Sequence, residues 1–449
     1  MQNDFSALLQ EIASVKRWTR GGYISRISGT YLVAEGLNET ARMGDQVMIE
    51  DARDVLRRGE IVALDDRDAT IMTYGESHGL AVGDVVMLSD EDTIAPGEAW
   101  LGRVIDAGGQ PLDKRPLLSG PEAVRLRAAP PDPLRRMPLG PRLRTGYAVF
   151  NTLLPIARGQ RLGVFAGSGV GKTRLLAGLA GGLDADVIVF ALIGERGREL
   201  RSFLVDALSP EARARSVVIV ATSDRSPLEK RRAMWTAMAV AERFRDQGKH
   251  VLLLSDSLTR FAEAHREVAL SAGEATSLRA IPPSTGHALS ALTERAGPGE
   301  GDGAITALFT VLVAGSDMEA PVADMTRGLL DGHIVLSRRI AERGRVPAVD
   351  VGQSTSRSLP DVAAPSENAL IARARALIAA YERVEPMLSA GLYVEGQDAE
   401  ADLAVRLHAD LDAFVAGRNA SSPEEHFSTL SKLLDDGLEG GKKDVGDRP

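Results

Sequence analysis

The stretch R-L-G-V-F-A-G-S-G-V-G-K-T-R-L-L-A-G-L, Arg161 to Leu179, decides the fold of this chain. Its first six residues, Arg161–Ala166, are rich in apolar side chains and predict a buried strand, and Arg174 to Leu179 predicts a helix. Between them lies the glycine-rich run Gly167 to Thr173. A strand, a loop of this composition and a helix, in that order, are the context that a phosphate-binding P-loop requires.

Each residue type in the loop suits the binding of a polyphosphate. Glycines let backbone N–H groups turn toward phosphates, and the helix that follows adds its positive end. We expect Lys172 to reach the β- and γ-phosphates and Thr173 to ligate Mg²⁺. Ala166 stands where the general pattern has its first glycine, and it is small enough to fit. The predicted nucleotide-binding residues are Gly167, Ser168, Gly169, Val170, Gly171, Lys172, Thr173 and Arg174.

Two acidic residues near strand ends can complete a hydrolytic site. Asp256 follows the run V-L-L-L-S, and we expect it to support a metal ion from a strand next to the P-loop strand. Glu195 lies in G-E-R-G-R-E after the strand predicted at 186–193, where a carboxylate can polarise water beside the γ-phosphate. The alternatives are an acid that merely ends a strand and a surface cluster of mixed charge that opens a helix.

The pattern of apolar residues predicts three regions. Short apolar runs separated by Gly and Asp turns, from Gly21 to Leu88, indicate a small β-barrel or sandwich. A Pro-rich connector between Pro111 and Pro141 follows. Apolar strands then alternate with helices, which indicates an α/β core with a sheet covered on both faces. After Pro365 the periodicity is helical only.

We therefore predict an α/β protein with an N-terminal barrel and C-terminal helices. The boundaries are 1–20 for an N-terminal amphipathic helix, 21–92 for the barrel, 93–360 for the P-loop domain, 361–437 for the helical domain and 438–449 for a disordered tail. The apolar stripe of the first helix, Phe5 to Val15, either packs on its own domain or docks on a partner helix. The tail lacks apolar anchors.

Composition excludes several classes of protein. The 449 residues allow about three domains. There is no cysteine, which excludes disulfides, thiolate metal sites and cysteine nucleophiles. A formal charge of −9 argues against whole-surface attraction to nucleic acid. No apolar run approaches the ~20 residues of a membrane span, and the start has no basic n-region, so we expect a cytoplasmic protein.

Motifs along essentially the whole chain resemble the export ATPases of type III secretion and of flagella, relatives of the rotary ATP synthase catalytic subunits. The resemblance rests on G-S-G-V-G-K-T, L-I-G-E-R-G-R-E, L-L-S-D-S-L-T-R-F-A-E-A-H-R-E, T-E-R-A-G, L-L-D-G-H-I-V-L-S-R-R-I-A-E and P-A-V-D-V-G-Q-S-T-S-R. The segments R-V-I-D-A-G-G-Q-P-L-D and R-L-R-T-G resemble the family's barrel-to-core junction. L-D-G-H-I-V-L-S-R-R discriminates best against the rotary synthases.

The resemblance implies a β-barrel, a RecA-like nucleotide-binding domain, a helical domain and a homo-hexameric ring with ATP between subunits. It implies that Glu195 activates water and that Arg196 and Arg260 lie near the γ-phosphate. Arg357, in S-T-S-R, would be an arginine finger that reaches the neighbouring subunit's site, where a guanidinium stabilises transition-state charge. The alternative for Arg357 is a solvated loop arginine.

The implied function is ATP hydrolysis, with Mg²⁺, that energises protein export in the flagellar apparatus at the inner membrane. The implied partners are a regulatory or stator protein at the N-terminal helix, export-gate and central-stalk proteins, and secreted clients with their chaperones, but no nucleic acid. Alternatives are an injectisome ATPase and a rotary synthase subunit. An RNA translocase would need a barrel rich in aromatic and basic residues, and a non-hydrolysing subunit would not need Glu195.

At three places the sequence differs from the family pattern, in segments expected to contact the adenine base or a central stalk rather than the phosphates. Val346 stands where the family usually has an aromatic residue that stacks on adenine, and Tyr393 is a candidate substitute. R-A-I-P-P-S-T-G, at 279–286, lacks the aromatics of a stretch expected to face the ring's centre. G-S-D-M-E-A-P, at 315–321, replaces an acidic linker. Adenine selectivity and coupling to a stalk are therefore open.

Overall fold

A computed structural model describes residues 21–89, 92–276, 280–313 and 317–444, with side chains to residue 436. The predicted helix at 1–20 and the last five residues lie outside the described residues. The chain divides into two compact units. One contains the residues up to Thr93 with Arg225–Arg231 and Glu263–Ser284, and the other contains the remainder.

The first unit contains a closed antiparallel barrel. Its strands are Gly21–Ile27 (β1), Leu32–Glu35 (β2), Gln46–Glu50 (β3), Leu56–Leu64 (β4), Asp68–Thr73 (β5) and Val85–Ser89 (β6). They pair in the order β1-β2-β5-β4-β3-β6, and β6 closes on β1. The interior is apolar, with Ile24, Ile49 and Ile71 wholly buried. The sequence was compatible with a barrel or a sandwich. The structure shows a barrel, because the sheet closes on itself and has no free edges.

The Pro-rich connector is almost free of regular structure. It holds the short strand Val124–Arg125 (β9), which pairs with Thr93–Ile94 (β7). The indole N–H of Trp100 donates to the carbonyl of Leu118, 3.0 Å away, and so holds the connector against the segment that precedes it within the second unit.

A nine-stranded sheet forms the core of the second unit. Its strands are Arg103–Asp106 (β8), Arg161–Ala166 (β10), Val187–Ile193 (β11), Ser216–Ala221 (β12), His250–Asp256 (β13), Gly297–Pro298 (β14), Ala304–Leu312 (β15), Gly332–Leu336 (β16) and Val349–Ser356 (β17). The order is β17-β16-β10-β15-β13-β11-β12-β8, with β14 paired to β15. All pairs are parallel except those of β14 and β17. The strand β17 was not predicted from sequence.

Burial on both faces explains why the central strands read as continuous apolar runs. Every residue of β11 and β13 is buried. Phe190 and Leu254 belong to the apolar cluster on one side of the sheet, and Val189 and Leu253 to the cluster on the other side. A parallel sheet needs cover on both faces, as the sequence predicted.

Helices cover the sheet and form the C-terminal region. They are Ala148–Asn151 (α1), Lys172–Gly182 (α2), Gly197–Ser202 (α3), Pro210–Ala214 (α4), Pro227–Asp246 (α5), Leu258–Ser271 (α6), Pro283–Thr293 (α7), Pro321–Leu329 (α8), Arg338–Glu342 (α9), Pro365–Ser389 (α10), Ala399–Ala416 (α11) and Pro423–Asp444 (α12). A 3₁₀ turn, Glu98–Trp100, and a π-helical turn, Phe203–Ala207, complete the list. Within the described residues, none of the helices combines the length and apolar character that crossing a membrane requires.

The last helix begins as the sequence predicts and continues further. The Ser422 N–H donates to the Glu425 carboxylate at 2.9 Å, and the Glu425 N–H donates to the Ser422 hydroxyl at 3.2 Å, which is a reciprocal capping box. Helix α12 runs to Asp444, into the segment predicted as a disordered tail.

A buried ion pair ties α5 to the segment that follows α7. Arg295 donates twice to the Glu242 carboxylate, at 2.5 and 2.9 Å, and once to the Leu126 carbonyl at 2.6 Å. The side chains are 3% and 10% exposed. Removing either charge from water is costly, and only the attraction of the oppositely charged partner compensates for that desolvation.

We predict that Glu242→Gln lowers the free energy of unfolding by about 3–5 kcal/mol, because it leaves a buried guanidinium uncompensated. The matched control is Glu122→Gln, which removes the exposed partner of Arg243 on the same helix, and we expect a loss of at most about 1 kcal/mol. Urea titration followed by circular dichroism measures both. Equal losses for the two variants would show that the buried pair contributes no more than a surface pair.

Candidate active site

The P-loop is held in shape by its glycines and by one buried side chain. Gly169 and Gly171 have φ angles of +78° and +89°, in the left-handed region that residues with a Cβ rarely adopt. Val170, between them, is 5% exposed and packs into the core. The carbonyl of Gly171 accepts the N–H of Leu175, so α2 begins directly after the loop. Ala166 ends β10 and is 1% exposed.

Lys172 contacts Asp256, which is buried at the end of β13. The Lys172 ammonium lies 2.5 Å from the Asp256 carboxylate, and the Thr310 hydroxyl donates to the same oxygen at 2.9 Å. We expected Asp256 on a strand next to β10, and this is wrong. The strand β15, which carries Thr310, lies between β10 and β13, and the long lysine side chain spans the gap.

Glu195 follows β11 in a tight turn beside the same lysine. Gly194 has a φ of +76°, and the Glu195 carbonyl accepts the Ser223 N–H at 3.0 Å. The Glu195 carboxylate lies 3.8 Å from Lys172 and is 28% exposed. Burial, followed by a hydrogen bond with Glu199, raises the pKa of Glu195 to about 7, against the opposing effect of Lys172. A carboxylate with such a pKa is suited to accept a proton near neutral pH.

The two arginines expected near the γ-phosphate differ in position. The stem of Arg260 packs on the turn before Glu195, where a Cβ on Gly194 would come within 2.8 Å of it. Arg196, at the start of α3, is 82% exposed and lies 3.8 Å from Glu199. Arg260 is therefore in contact with the turn that carries Glu195, whereas Arg196 points its charge to the surface.

Arg357 lies at the edge of the sheet opposite the P-loop. It follows β17, where Ser356 pairs with Gly332 at the start of β16, and its N–H donates to the Asp331 carbonyl. The P-loop follows Ala166, which pairs with Leu336 at the end of β16. Four strand residues separate the two edges, about 13 Å. An arginine side chain does not bridge that distance, so Arg357 cannot complete the site of its own chain.

Two cavities flank the P-loop. The first, of about 250 Å³, is lined on its polar side by Thr173, Glu195, Glu199 and Asp256. A hydroxyl and carboxylates are hard oxygen donors, and Mg²⁺ usually binds through one or two such groups with substrate phosphates. The donor set therefore fits Mg²⁺. It also holds the carboxylate that could activate water.

The second cavity, of about 180 Å³, lies on the other side of the loop and has no carboxylate in its lining. Tyr147, Arg174, Val346 and Arg418 line it. Val346 is 47% exposed. Tyr393, the candidate aromatic substitute, does not line it, and its hydroxyl donates to Asp402 at 2.5 Å.

Sequence reasoning missed several residues around the loop. Thr310 is one of two polar residues, with Thr306, in the otherwise apolar strand β15, and such an interruption is a usable signal. Glu199 lies four residues after Glu195, in the first turn of α3. Arg338 donates to the Ser168 carbonyl at 3.1 Å, and Arg418 covers Tyr147. Their long-range contacts leave no local pattern.

Comparison with protein families assigns all three regions. The beta-barrel domain of the ATP synthase alpha/beta family matches residues 24–88, and the nucleotide-binding domain of that family matches residues 146–356. The C-terminal domain of the type III secretion ATPase EscN matches residues 363–430. The match in the C-terminal region distinguishes this chain from rotary synthase subunits.

Individual relatives span nearly the whole chain. The flagellum-specific ATP synthase of Caulobacter vibrioides is 40% identical over 95% of this chain and 99% of its own length. The SPI-2 type 3 secretion system ATPase of Salmonella typhimurium is 43% identical over 93% of this chain and 95% of its own. The assembled ATPase EscN of enteropathogenic E. coli, 39% identical, has a TM-score of 0.86 over 92% of this chain and 100% of its own. The structure of EscN in complex with its central stalk EscO has a TM-score of 0.83, with the same coverage of both chains. The chain therefore belongs to the ATP synthase alpha/beta family, with the flagellum-specific and type III secretion ATPases.

Proposed function

We propose that this ATPase hydrolyses Mg·ATP at the edge of the sheet where Lys172, Asp256 and Glu195 meet, and that hydrolysis energises protein export through a flagellar apparatus. The observation that carries the proposal is that the carboxylates of Asp256 and Glu195 both lie within 3.8 Å of the Lys172 ammonium. An ammonium that neutralises phosphate and a carboxylate poised to accept a proton are the two groups that hydrolysis of a phosphoanhydride needs.

Each predicted residue then has a role. Backbone N–H groups from Gly167 to Thr173 hold the phosphates, and Arg174 follows in the first turn of α2. Lys172 moves from Asp256 to the phosphate oxygens. Thr173 and Asp256 would hold Mg²⁺, which supplies neutralisation of the developing phosphate charge. Glu195 orients the attacking water and accepts its proton, while Arg260 supports the turn and Arg196 lies at its outer side.

The site is completed by a second copy of the chain. Arg357 lies at the far edge of the sheet, so it can serve only the site of a neighbour. We propose a ring of six subunits, in which Arg357 of each subunit contacts the nucleotide bound to the next. The C-terminal match to EscN, which has been solved with its central stalk EscO, supports a stalk protein as partner. A regulatory protein at residues 1–20, an export gate, and clients with their chaperones belong to the same proposal, as does association with the inner membrane.

An injectisome is the second candidate apparatus. The 43% identity to a secretion-system ATPase is the observation that favours it. Deletion of the gene in the source bacterium separates the two. Loss of motility and of flagellin export supports the flagellar role, whereas normal motility with loss of another secreted protein supports the injectisome.

We predict that Lys172→Ala and Glu195→Gln separate binding from chemistry. Lys172→Ala should weaken ATP binding, because the phosphates lose their ammonium. Glu195→Gln should bind Mg·ATP normally and lower kcat by about 10²–10⁴-fold, because the amide cannot accept the proton. Calorimetric titration gives the dissociation constants, and phosphate release gives kcat.

The matched control for Glu195→Gln is Glu211→Gln, an exposed acid in the first turn of another helix, which should keep wild-type turnover. Near wild-type kcat in Glu195→Gln at saturating ATP would remove Glu195 as the base. Wild-type protein that binds ATP without releasing phosphate would instead support a non-hydrolysing subunit.

We predict that Arg357→Ala binds ATP but hydrolyses it about 10³-fold more slowly, because the finger acts on charge that develops only in the transition state. Mixed with Lys172→Ala, it should regain activity, since some interfaces then pair an intact P-loop with an intact finger. Phosphate release across mixing ratios measures the rescue.

Co-purification of differently tagged chains verifies that mixed assemblies form. Arg213→Ala, an exposed arginine at the end of α4, is the control and should leave turnover unchanged. Mixed assemblies without any rescue would mean that Arg357 is not the shared residue.

A further inference from the structure

The cavity without carboxylates contains a guanidinium that has no acidic partner. Arg418 makes no ion pair with any described residue, and its guanidinium carbon lies over the ring of Tyr147, 5.3 Å from the centroid. Arg174 lines the same cavity and likewise makes no ion pair with a described residue, whereas Arg338 donates to the P-loop. An unpaired cation that lines a cavity beside a phosphate-binding loop has a surface available for a ligand.

The backbone on both sides of Arg418 is fixed. The Ala148 N–H donates to the Gly417 carbonyl at 2.9 Å, and the Asn419 N–H donates to the Gly146 carbonyl at 3.1 Å. Between these two hydrogen bonds, Tyr147 and Arg418 face each other in an isolated antiparallel β-bridge. Arg418 therefore projects from a short antiparallel pairing of two connecting segments, and its side chain starts from a defined position.

The rings available for stacking in this cavity are few. Tyr147 is 3% exposed, meets Phe150 edge to face, and is covered by Arg418. Val346 offers a branched aliphatic side chain that lacks a flat face. The planar groups that the cavity presents are thus the guanidinium groups of Arg174 and Arg418, and guanidinium planes stack on nucleobases as aromatic rings do. Arg174 lies in the first turn of α2, at the phosphate-binding end of that helix.

The guanidinium of Arg418 lies beside the middle of α2, and this position indicates whether it can contact the phosphates or the base of a bound nucleotide. A Cβ on Gly178 would lie 3.3 Å from a terminal nitrogen of Arg418. Gly178 is seven residues after Gly171, which places the guanidinium about 10 Å along the helix from its phosphate-binding end. That is too far for a phosphate bound at the loop and suits the base of the same nucleotide.

We propose that Arg418, on the connection between α11 and α12, stacks on the purine of bound ATP and replaces the aromatic side chain that Val346 does not supply. The proposal rests on the proposed function, because it takes ATP as the ligand of the P-loop. Arg418 is then the residue that makes binding depend on the base as well as on the phosphates, and it links the helical region directly to the nucleotide.

The test compares two probes, Mg·ATP and magnesium tripolyphosphate, which has the phosphates without the base. Arg418→Ala should raise the Kd of ATP about 10-fold and leave the Kd of tripolyphosphate unchanged. Arg418→Tyr restores a flat face and should recover most of the ATP affinity, whereas Arg418→Lys restores only charge and should not. Titration calorimetry gives each Kd without turnover, so the result does not depend on whether the wild type hydrolyses ATP.

The matched control is Arg406→Ala, an exposed arginine on α11, which should leave both constants at wild-type values. Unchanged tripolyphosphate binding also verifies that a variant keeps its P-loop. An unchanged Kd for ATP in Arg418→Ala would overturn the proposal. So would recovery by lysine but not by tyrosine, or an equal loss for both probes, since each means that Arg418 acts by charge on the phosphates. Wild-type protein that binds ATP but releases no phosphate would contradict the proposed function and leave this inference standing.

Discussion

The bond between Lys172 and Asp256 is the interaction on which the rest of the site depends. Asp256 is 3% exposed, and a carboxylate at that depth must be paired or neutral. Lys172 and the Thr310 hydroxyl satisfy it. Lys172 and Asp256 therefore neutralise each other. In the mechanism that we propose, Lys172 exchanges Asp256 for the phosphates of the nucleotide, because a single ammonium serves both partners.

The P-loop separates two environments of opposite character. On one side, carboxylates and a hydroxyl surround the space for metal and water, and burial raises the pKa of Glu195 to about 7. On the other side, the lining has two arginines and no carboxylate. A nucleotide with its phosphates on the loop would thus place its reacting bond among proton acceptors and its base among cations and apolar groups. The same loop orients both ends of the ligand.

The sheet topology also determines what one chain cannot do alone. Because β17 runs antiparallel to β16, it carries Arg357 away from the P-loop edge to the opposite one. A parallel strand at that position would have brought the residue after it to the P-loop edge. If Arg357 is the shared residue that we propose, the reversed direction of β17 is the reason that a second copy must supply it.

The amino-acid sequence by itself determined the parts that depend on neighbouring residues. Local chemistry and periodicity predict the glycine run, the buried apolar strands, the capping box of α12 and the positions of Lys172, Glu195 and Asp256. The resemblance of the motifs to the family supports the roles that we propose for these three residues. Contacts between distant segments could not be obtained in this way. The insertion of β15 between β10 and β13, the bond from Thr310 to Asp256, the pKa of Glu195 and the placement of Arg418 over Tyr147 come from elements far apart in the chain. Only the folded sheet and its connections decide them, because burial and charge at a site depend on which distant residues the topology brings together.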